Sequence, residues 1–479
     1  MKSFIITFSL IFIINTTYAQ HVRFDPNPVN FPTGSEVDFA GIGDINGDGL
    51  NDIVGATTFA FNGTNNYSLV LWLQGANGQM QQPLFFKHPF PGVISCLAVS
   101  NLGRSSSKSS GNAEVVVGLR TDDNSDVYIY SWDGNGLVAT DSFTTSTRYE
   151  PDGVIGGDFD NDGLTDIGVS HWGDSIVVIF QNNSNPTWEV KKYAVTTNGY
   201  GHITSGQFGA IQKTTLIATN GQGNTGPVIV LYFDAARSLQ STHHLKLPAH
   251  TSPPYDTPTS AYSAVIVNKG NNKANELWVT YGGNKPRSNV AIWRGIQQLP
   301  DSTFPVYDLP EAIASANLDC DDGDEQVIVH AAWMRASVIA DSIYPYKIFD
   351  AGHYYQEGVV LGDVNNDGFA DMCLAHERPG GDLQVLYNIT PPCKWPDNIP
   401  ETKVVVGKID IYPNPASAET TIAYNGTGEL RVYNIQGSIV TKSQFDKRSV
   451  LNTSGWPAGL YIITLHTGSS IVSEKLVIH

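Results

Sequence analysis

Short apolar stretches bounded by Gly, Asn, Asp and Ser recur along most of the chain. They are rich in Val, Ile and aromatic residues, which favours β-strands over helices. The stretches come in pairs that are joined by a polar turn. Seven such turns can be traced, and they start at Asp44, Asn101, Asp158, Gln207, Asn268, Asn317 and Asp363. Further strand-like stretches follow the first and third pairs, so each repeat is predicted to hold four strands.

The repeats predict an all-β fold, a seven-bladed β-propeller over residues 20–392. The seventh repeat shows only three strands before Pro391. We expect residues 22–24 to return and supply its fourth strand, because a closed ring leaves no exposed strand edge. A linker at 393–407 and a second, smaller domain at 408–479 follow, since the strand pattern changes there.

Three of the turns share one acidic pattern, Asp-x-[Asp/Asn]-x-Asp-Gly-x-x-Asp. Calcium takes six to eight oxygen ligands. Side chains at positions 1, 3, 5 and 9 and the carbonyl at position 7 would supply them, while Gly at position 6 permits the sharp reversal. The predicted ligands are Asp44, Asn46, Asp48, Leu50 and Asp52, then Asp158, Asp160, Asp162, Leu164 and Asp166, then Asp363, Asn365, Asp367, Phe369 and Asp371.

A fourth, less regular turn keeps oxygen-bearing groups at the same offsets. Its predicted ligands are Asn317, Asp319, Asp321, Gly323 and Glu325. An EF-hand would need Glu at position 12 and flanking helices, and neither is present in the sequence pattern. The competing interpretation is a set of Asp/Asn/Gly turns without metal, and three regular copies favour calcium as the cofactor.

These residues resemble the FG-GAP/VCBS repeats of integrin-α-type propellers. The resemblance extends over residues 20–392 and is strongest in repeats one, three and seven. It implies calcium in the regular loops and none in repeats two, four and five.

The last seventy residues resemble the type A C-terminal sorting domain of type IX secretion cargo. The resemblance is carried by Tyr-Pro-Asn-Pro at 412–415, the segment at 430–437, Gly-Leu-Tyr at 459–461 and Lys-Leu-Val-Ile at 475–478. It implies a small β-sandwich, the type IX machinery as a partner, and a final location outside the cell or on its surface. An ordinary accessory sandwich is the alternative.

The N-terminus has the features of a signal peptide at 1–19. Lys2 precedes an apolar run at 4–14, and Ala19 precedes Gln20 at a suitable cleavage site. The run is short for a membrane anchor. Export permits disulfides, but Cys96, Cys320, Cys373 and Cys393 form no framework, and a Cys320–Cys373 pair is left open.

Composition narrows the function. A formal net charge of -18 argues against nucleic-acid binding, because neutralising phosphates needs clustered Lys and Arg. With 46 glycines and 15 % charged residues, the chain is typical of an all-β protein with many turns. We expect a monomer with no membrane-spanning segment in the mature chain.

Residues five or six positions outside each loop should ring the opposite face of the propeller. There the sequence predicts carboxylate–His pairs: Asp152 with His171, Glu311 with His330, and Glu357 with His376. A carboxylate that orients an imidazole suits a general base or a metal ligand. Arg120 and Arg335 are candidates to bind a carboxylate of a substrate.

Two functions remain open. The first is a surface protein that binds an extracellular glycan or protein at this face, with calcium as a structural brace. The second is a polysaccharide-degrading, lyase-like enzyme that uses one of the histidines as its base. A plainer interpretation leaves the polar groups solvated or paired with one another. The absence of nucleophile-elbow, P-loop and zincin motifs in the sequence favours binding over catalysis.

Overall fold

The structure is a computed structural model. It describes residues 22–33, 35–57, 69–87, 92–103, 112–121, 124–146, 149–171, 175–184, 187–195, 201–211, 213–220, 226–249, 260–270, 273–283, 288–319, 322–340, 347–351, 356–376, 382–391, 409–434, 439–467 and 470–479. The predicted signal peptide, the predicted linker, Cys320, Asp321 and Cys393 lie outside the described residues. The chain divides into two compact units, one up to Cys393 and one from Lys394.

The first unit consists of antiparallel four-stranded sheets, and the described residues form seven of them. The chain enters through β1 (Val29–Phe31), which belongs to the last sheet. Sheets one to three, from the innermost strand outward, are β2 (Phe39–Gly43), β3 (Asp52–Ala56), β4 (Leu69–Trp72) and β5 (Leu84–Phe86); β6 (Val93–Ser100), β7 (Glu114–Arg120), β8 (Ser125–Trp132) and β9 (Leu137–Ser146); and β10 (Pro151–Gly157), β11 (Asp166–His171), β12 (Ser175–Gln181) and β13 (Trp188–Ala194).

Sheets four to seven repeat this order along the chain. Their strands are β14 (Ile203–Gly206), β15 (Thr215–Ala218), β16 (Val228–Phe233) and β17 (Leu239–Leu245); β18 (Ala261–Val267), β19 (Glu276–Tyr281), β20 (Asn289–Trp293) and β21 (Ser302–Pro305); β22 (Ala312–Ala316), β23 (Glu325–Val329), β24 (Arg335–Ile339) and β25 (Lys347–Asp350); and β26 (Gln356–Gly362), β27 (Asp371–His376) and β28 (Leu383–Leu386), completed by β1.

The innermost strands close a ring. Each contacts the innermost strand of the next sheet, and β26 of sheet seven contacts β2 of sheet one. Sheets stacked face to face around a common axis define a β-propeller. The prediction of an all-β propeller is therefore confirmed.

Burial follows the position of a strand within its sheet. Every residue of β11 and β12 is buried, because both faces of these middle strands pack against neighbouring sheets. The outer strand β13 alternates between covered and exposed residues. The middle strands are accordingly apolar along their centres, with polar residues at their ends, whereas the outer strand β13 carries the alternating pattern.

The fourth strand of sheet seven differs from the prediction. It is β1, at 29–31 rather than 22–24, and it pairs with β28 in the register Val29↔Val385 and Phe31↔Leu383. Residues 22–24 do return beside the same chain segment, just beyond β28: Phe24 forms an isolated antiparallel bridge with Asn388, and the Ile389 N–H donates to the Arg23 carbonyl (2.7 Å). Val22 and Phe24 are buried in the apolar core between sheets six and seven. Both stretches therefore pair with the segment at 383–389, and 29–31 forms the regular strand of the sheet.

The second unit contains β29 (Asp410–Tyr412), β30 (Glu419–Asn434), β31 (Ile439–Asn452), β32 (Gly459–Thr467) and β33 (Ser470–Ile478). Its described residues form one five-stranded sheet. The long strand β30 pairs with β29 before a register shift between Ala423 and Thr427, and with β32 after it. The predicted β-sandwich therefore stays a prediction.

None of the described residues forms a helix long and apolar enough to cross a membrane.

Candidate functional site

The three regular acidic turns share one backbone conformation. Positions 4 and 6 of each turn have positive φ angles, which Gly and Asn adopt most readily. The position 4 residues are Gly47 (79°), Asn161 (61°) and Asn366 (61°), and the position 6 residues are Gly49 (86°), Gly163 (89°) and Gly368 (90°). The sequence analysis recognised the glycine at position 6 and missed position 4, although Gly or Asn stands there in every copy.

The carboxylate at position 1 accepts several backbone N–H groups of its own turn. In the first loop, Asp44 Oδ1 accepts the N–H groups of Gly47 (2.7 Å) and Asp48 (3.0 Å), and its Oδ2 accepts that of Gly49 (2.9 Å). Asp158 and Asp363 accept the corresponding N–H groups at positions 5 and 6. Backbone donors thus hold the position 1 carboxylate at the centre of the loop.

The carboxylate at position 9 joins the turn to the rest of its sheet. Asp166 is fully buried at the start of β11. One of its oxygens accepts the N–H of Phe159 (2.9 Å) and the other accepts that of Gln181 on β12 (2.9 Å). Asp52 and Asp371 make the same two kinds of contact. Burial raises the pKa of Asp52 to about 6 and those of Asp166 and Asp371 to about 7.

In each case the acid that opens the second strand accepts the backbone N–H at position 2 of the turn, and we call this contact the clasp. The clasp also occurs in sheets whose turns have few or no other acids. In sheet two, Glu114 accepts the N–H of Leu102 (2.8 Å), although the turn has no acid at positions 1, 3 or 5. In sheet six, Glu325 accepts the N–H of Leu318 (2.7 Å). The clasp therefore does not depend on a cation. The sequence signal, an acid at the first residue of the second strand, was overlooked in sheet two. In sheet five the corresponding acid, Glu276, instead accepts the side-chain N–H groups of Trp278 and Arg294.

The oxygens of loop three lie close enough to share one ion. Asp158, Asp160 and Asp166 each offer a carboxylate oxygen within 4.8 Å of the others. Two ligands of one calcium ion lie at most about 5 Å apart, since each Ca–O distance is about 2.3–2.6 Å. The donor set, oxygen only and anionic, suits a hard cation. Among the described His, Cys, Asp and Glu residues, this is the one such cluster.

The less regular loop of sheet six is only partly described. Asp319 and Glu325 are buried, and Asp321 lies outside the described residues. A further acid, Asp324, accepts the N–H of Asn268 (3.2 Å) and the hydroxyl of Ser315 (3.2 Å). Asp324 therefore fastens this loop to sheet five.

The three candidate histidines lie at the opposite end of their sheets, and all are fully buried. His171 Nε2 lies 2.9 Å from Thr145 Oγ1. His330 Nε2 lies 2.7 Å from Ser337 Oγ, and His376 Nε2 lies 3.2 Å from the amide oxygen of Gln384. The imidazoles thus contact hydroxyl and amide groups between strands, and the open channel mouth that the sequence analysis assumed is not their environment.

Register shifts separate two of the predicted carboxylates from their histidines. Pro151, not Asp152, pairs with His171, and the shift falls between Pro151 and Gly153. Gln356 pairs with His376, and the shift falls between Gln356 and Gly358. Nothing is described of the Glu357 side chain. Glu311 is half-buried next to β22, and its N–H donates to the carbonyl of Val329 (2.9 Å).

Asp152 instead lines an open central cavity of about 400 Å³ between the innermost strands. Most of its lining residues have apolar side chains, and Cys96 and His202 are the other titratable residues among them. Burial, together with the neighbouring Glu150 carboxylate and opposed by Arg120, raises the pKa of Asp152 to about 8. Burial lowers the pKa of His202. Both groups are therefore driven toward their neutral forms.

The two candidate arginines form ion pairs at the surface. Arg120 pairs with Glu150. Arg335, on β24, lies 2.9 Å from Asp350 on the outer strand β25. The His330 N–H donates to the Arg335 carbonyl (2.9 Å), so this arginine meets the histidine through the backbone while its guanidinium pairs with Asp350.

An aromatic pair, an exposed Trp333 on a half-buried Tyr307, lies beside His330 at the end of sheet six away from its acidic loop. Trp333, in the turn between β23 and β24, is 44 % exposed. Its ring packs edge-on against Tyr307 with centroids 6.3 Å apart, and Tyr307 packs against His330 at 5.4 Å. The face opposite the loops thus presents a supported indole ring to solvent.

The cysteines are thiols wherever they are described. Cys96 and Cys373 are both free and buried. The pairing of Cys320 with Cys373, which the sequence left open, is therefore not formed.

Comparison with known proteins identifies the second unit. Residues 410–479 match the family of secretion system C-terminal sorting domains. The prediction of a type IX sorting domain is confirmed, and the chain is a β-propeller protein that is exported to the cell surface or secreted.

Two solved structures are distantly similar to the chain. The Dos1 propeller is 10 % identical, with 76 % of this chain and 95 % of that chain covered and a TM-score of 0.45. Saccharomyces cerevisiae Sqt1 is 9 % identical, with coverages of 76 % and 98 % and a TM-score of 0.46. These similarities are too low to inform on function, so the propeller assignment rests on the sheet order. No curated protein sequence matches the chain.

Proposed function

We propose that the protein is an exported, calcium-braced propeller of the FG-GAP/VCBS type, in which each four-stranded sheet is one of seven blades. The oxygen cluster of Asp158, Asp160 and Asp166 is the observation that carries this proposal. Loops one and seven repeat its backbone and its position 1 and position 9 contacts.

The chain's own residues would hold the cation in a fixed place. Position 1 is already oriented by backbone N–H groups, and position 9 is anchored between two strands. A bound calcium ion supplies positive charge that favours the ionised form of these buried carboxylates. Calcium would thereby link the turn of a blade to its second and third strands.

The binding role is assigned to the face opposite the loops, with an extracellular glycan as the ligand. The exposed Trp333, supported by Tyr307, supports this choice, because an aromatic face offers a rigid apolar surface with little entropy to lose. The buried histidines do not favour the lyase alternative, since a general base must reach its substrate.

The proposed structural role of calcium is tested by the dependence of the melting temperature on calcium. Excess chelator should lower the melting temperature of the full chain by on the order of 10 °C, because ligands that bind only the folded state stabilise it. Asp44→Ala and Asp363→Ala should each remove about one bound ion in titration calorimetry.

Asn101→Ala is the matched control, because Asn101 opens the turn of sheet two without acidic partners. It should leave the number of bound ions unchanged. An identical melting curve in calcium and in chelator would contradict the calcium assignment.

Glycan binding is tested on a glycan array with the full chain. Trp333→Ala should weaken binding to any retained glycan by about tenfold, because it removes the stacking surface. Leu299→Ala, at an apolar residue 60 % exposed in sheet five, is the control and should bind normally. Equal binding by the Trp333 variant, or no glycan bound by the wild type, would reject this site.

A further inference from the structure

An arginine from sheet four reaches into the acidic loop of sheet three. Arg237 lies in the turn between β16 and β17. Its Nε donates to Asp160 Oδ2 (2.7 Å), and another guanidinium nitrogen lies 3.6 Å from Asp162 Oδ2. The guanidinium thus bridges the carboxylates at positions 3 and 5 of loop three.

The Arg237 side chain is held firmly and is only 11 % exposed. It donates to Asn182 Oδ1 (2.6 Å), to Glu189 Oε2 (2.9 Å) and to the carbonyl of Gln181 (2.9 Å). Its guanidinium carbon lies 4.9 Å from the ring centroid of Phe180. Such a fixed planar donor suits the bridging of two carboxylates.

Arg237 has a backbone conformation that is unusual for an arginine. Its φ of 60° lies in the left-handed region, which disfavours side chains other than Asn, Asp and Gly. The equivalent turn of sheet one has Gly78, with φ of 74°. Both residues donate their N–H to the carbonyl three residues earlier at 2.8 Å, so the two turns correspond.

Both turns lie against position 3 of the preceding sheet's loop. A Cβ atom added to Gly78 would lie 2.2 Å from the carbonyl oxygen of Asn365 in loop seven. Arg237 contacts Asp160, which is position 3 of loop three. A Gly therefore faces an Asn in one pair of sheets, and an Arg faces an Asp in the other.

The residue at position 3 explains the difference. In loops one and seven its amide closes the turn, because Asn46 Nδ2 donates to Asp48 Oδ2 (3.1 Å) and Asn365 Nδ2 donates to Asp367 Oδ2 (3.0 Å). The Asp160 side chain has no N–H to donate, and its carboxylate faces that of Asp162.

We propose that Arg237 is a positioning residue of loop three that replaces the amide supplied by Asn46 and Asn365 within their own loops. The positive charge of Arg237 also offsets one of the four Asp charges of loop three. The net side-chain charge there is then three negative charges, as in loops one and seven. Loop three is thereby preformed for a cation only when the outer turn of sheet four is docked. This inference rests on the proposed calcium function for its ligand, but not for the clamp itself.

A double-mutant cycle in chelator tests the clamp on the full chain. Arg237→Met keeps an apolar stem over Phe180 and should lower the melting temperature by about 5 °C, because two carboxylates lose their shared donor. Adding Asp160→Asn to the Arg237→Met variant should recover most of this loss, because the Asn amide can donate to Asp162. In the wild-type background the same change should instead be destabilising, because Arg237 loses its partner.

Glu189→Gln is the control, since it weakens an Arg237 contact outside the loop and should not be rescued by Asp160→Asn. Calcium should raise the melting temperature of the Arg237→Met variant more than that of the wild type. The proposal is overturned if Asp160→Asn fails to rescue Arg237→Met in chelator. If calcium left the melting temperature of the wild type unchanged, the proposed calcium function would be wrong. The rescue in chelator would still decide the role of Arg237.

Discussion

At the scale of single residues, burial decides the chemistry more than residue type does. Asp152 and the three candidate histidines have side chains suited to catalysis, yet each lies inside the propeller. The histidines contact Thr145, Ser337 and Gln384, which fixes strands together. Asp152 lies in the central cavity, where desolvation favours its neutral form.

Asp152 makes stability depend on pH. Its pKa is raised from 3.8 to about 8 in the folded state, so its contribution is full below pH 4 and is lost as the pH rises to 8. Denaturant unfolding in excess calcium should show the free energy of unfolding fall by on the order of 2 kcal/mol from about pH 5 to about pH 8. Asp152→Asn should abolish most of this fall.

Asp133→Asn is the control for this pH effect. The pKa of Asp133 is lowered by the N–H groups of Asn135 and Gly136, so this carboxyl titrates below the window. The explanation is wrong if the Asp152 and Asp133 variants keep the same slope across that window.

At the scale of the elements, the turn and its second strand form one unit. The apolar residue at position 2 is buried, and the acid that opens the second strand accepts its N–H; Ile45 with Asp52 and Leu102 with Glu114 are examples. Because Glu114 does this in a turn without acids at positions 1, 3 and 5, the clasp does not require the full acidic pattern.

The strand β1 closes the ring and joins its two ends. It pairs with β28 of sheet seven, and Phe31 packs edge-on against Trp72 of sheet one with centroids 5.8 Å apart. Replacing residues 29–31 with Gly-Ser-Gly should destabilise the protein by about 3–5 kcal/mol, since it removes a packed aromatic ring and bares the edge of β28.

Thermal melts and light scattering after size exclusion would measure this effect, with self-association expected from the bare edge. Val29→Ser, at a side chain 40 % exposed, is the control and should behave as the wild type. A monomer with an unchanged melting temperature would show that β1 does not close the ring.

At the scale of the whole molecule, the repeated pattern predicted much of the organisation. Each of the seven predicted turns starts directly after the innermost strand of a sheet, because apolar stretches bounded by turn residues favour strands joined by tight turns. The sorting domain was equally visible, since its motifs at 412–415 and 459–461 are local in sequence.

The sequence by itself determined the strands, the acidic turns and the sorting motifs, because each is set by residues close together in the chain. The tertiary structure alone decided which short strand closes the ring, that the histidines are buried, and that Asp152 turns to the cavity. It alone brought Arg237 to Asp160. These outcomes depend on register shifts and on packing between sheets, where one residue of displacement changes the neighbours of a side chain.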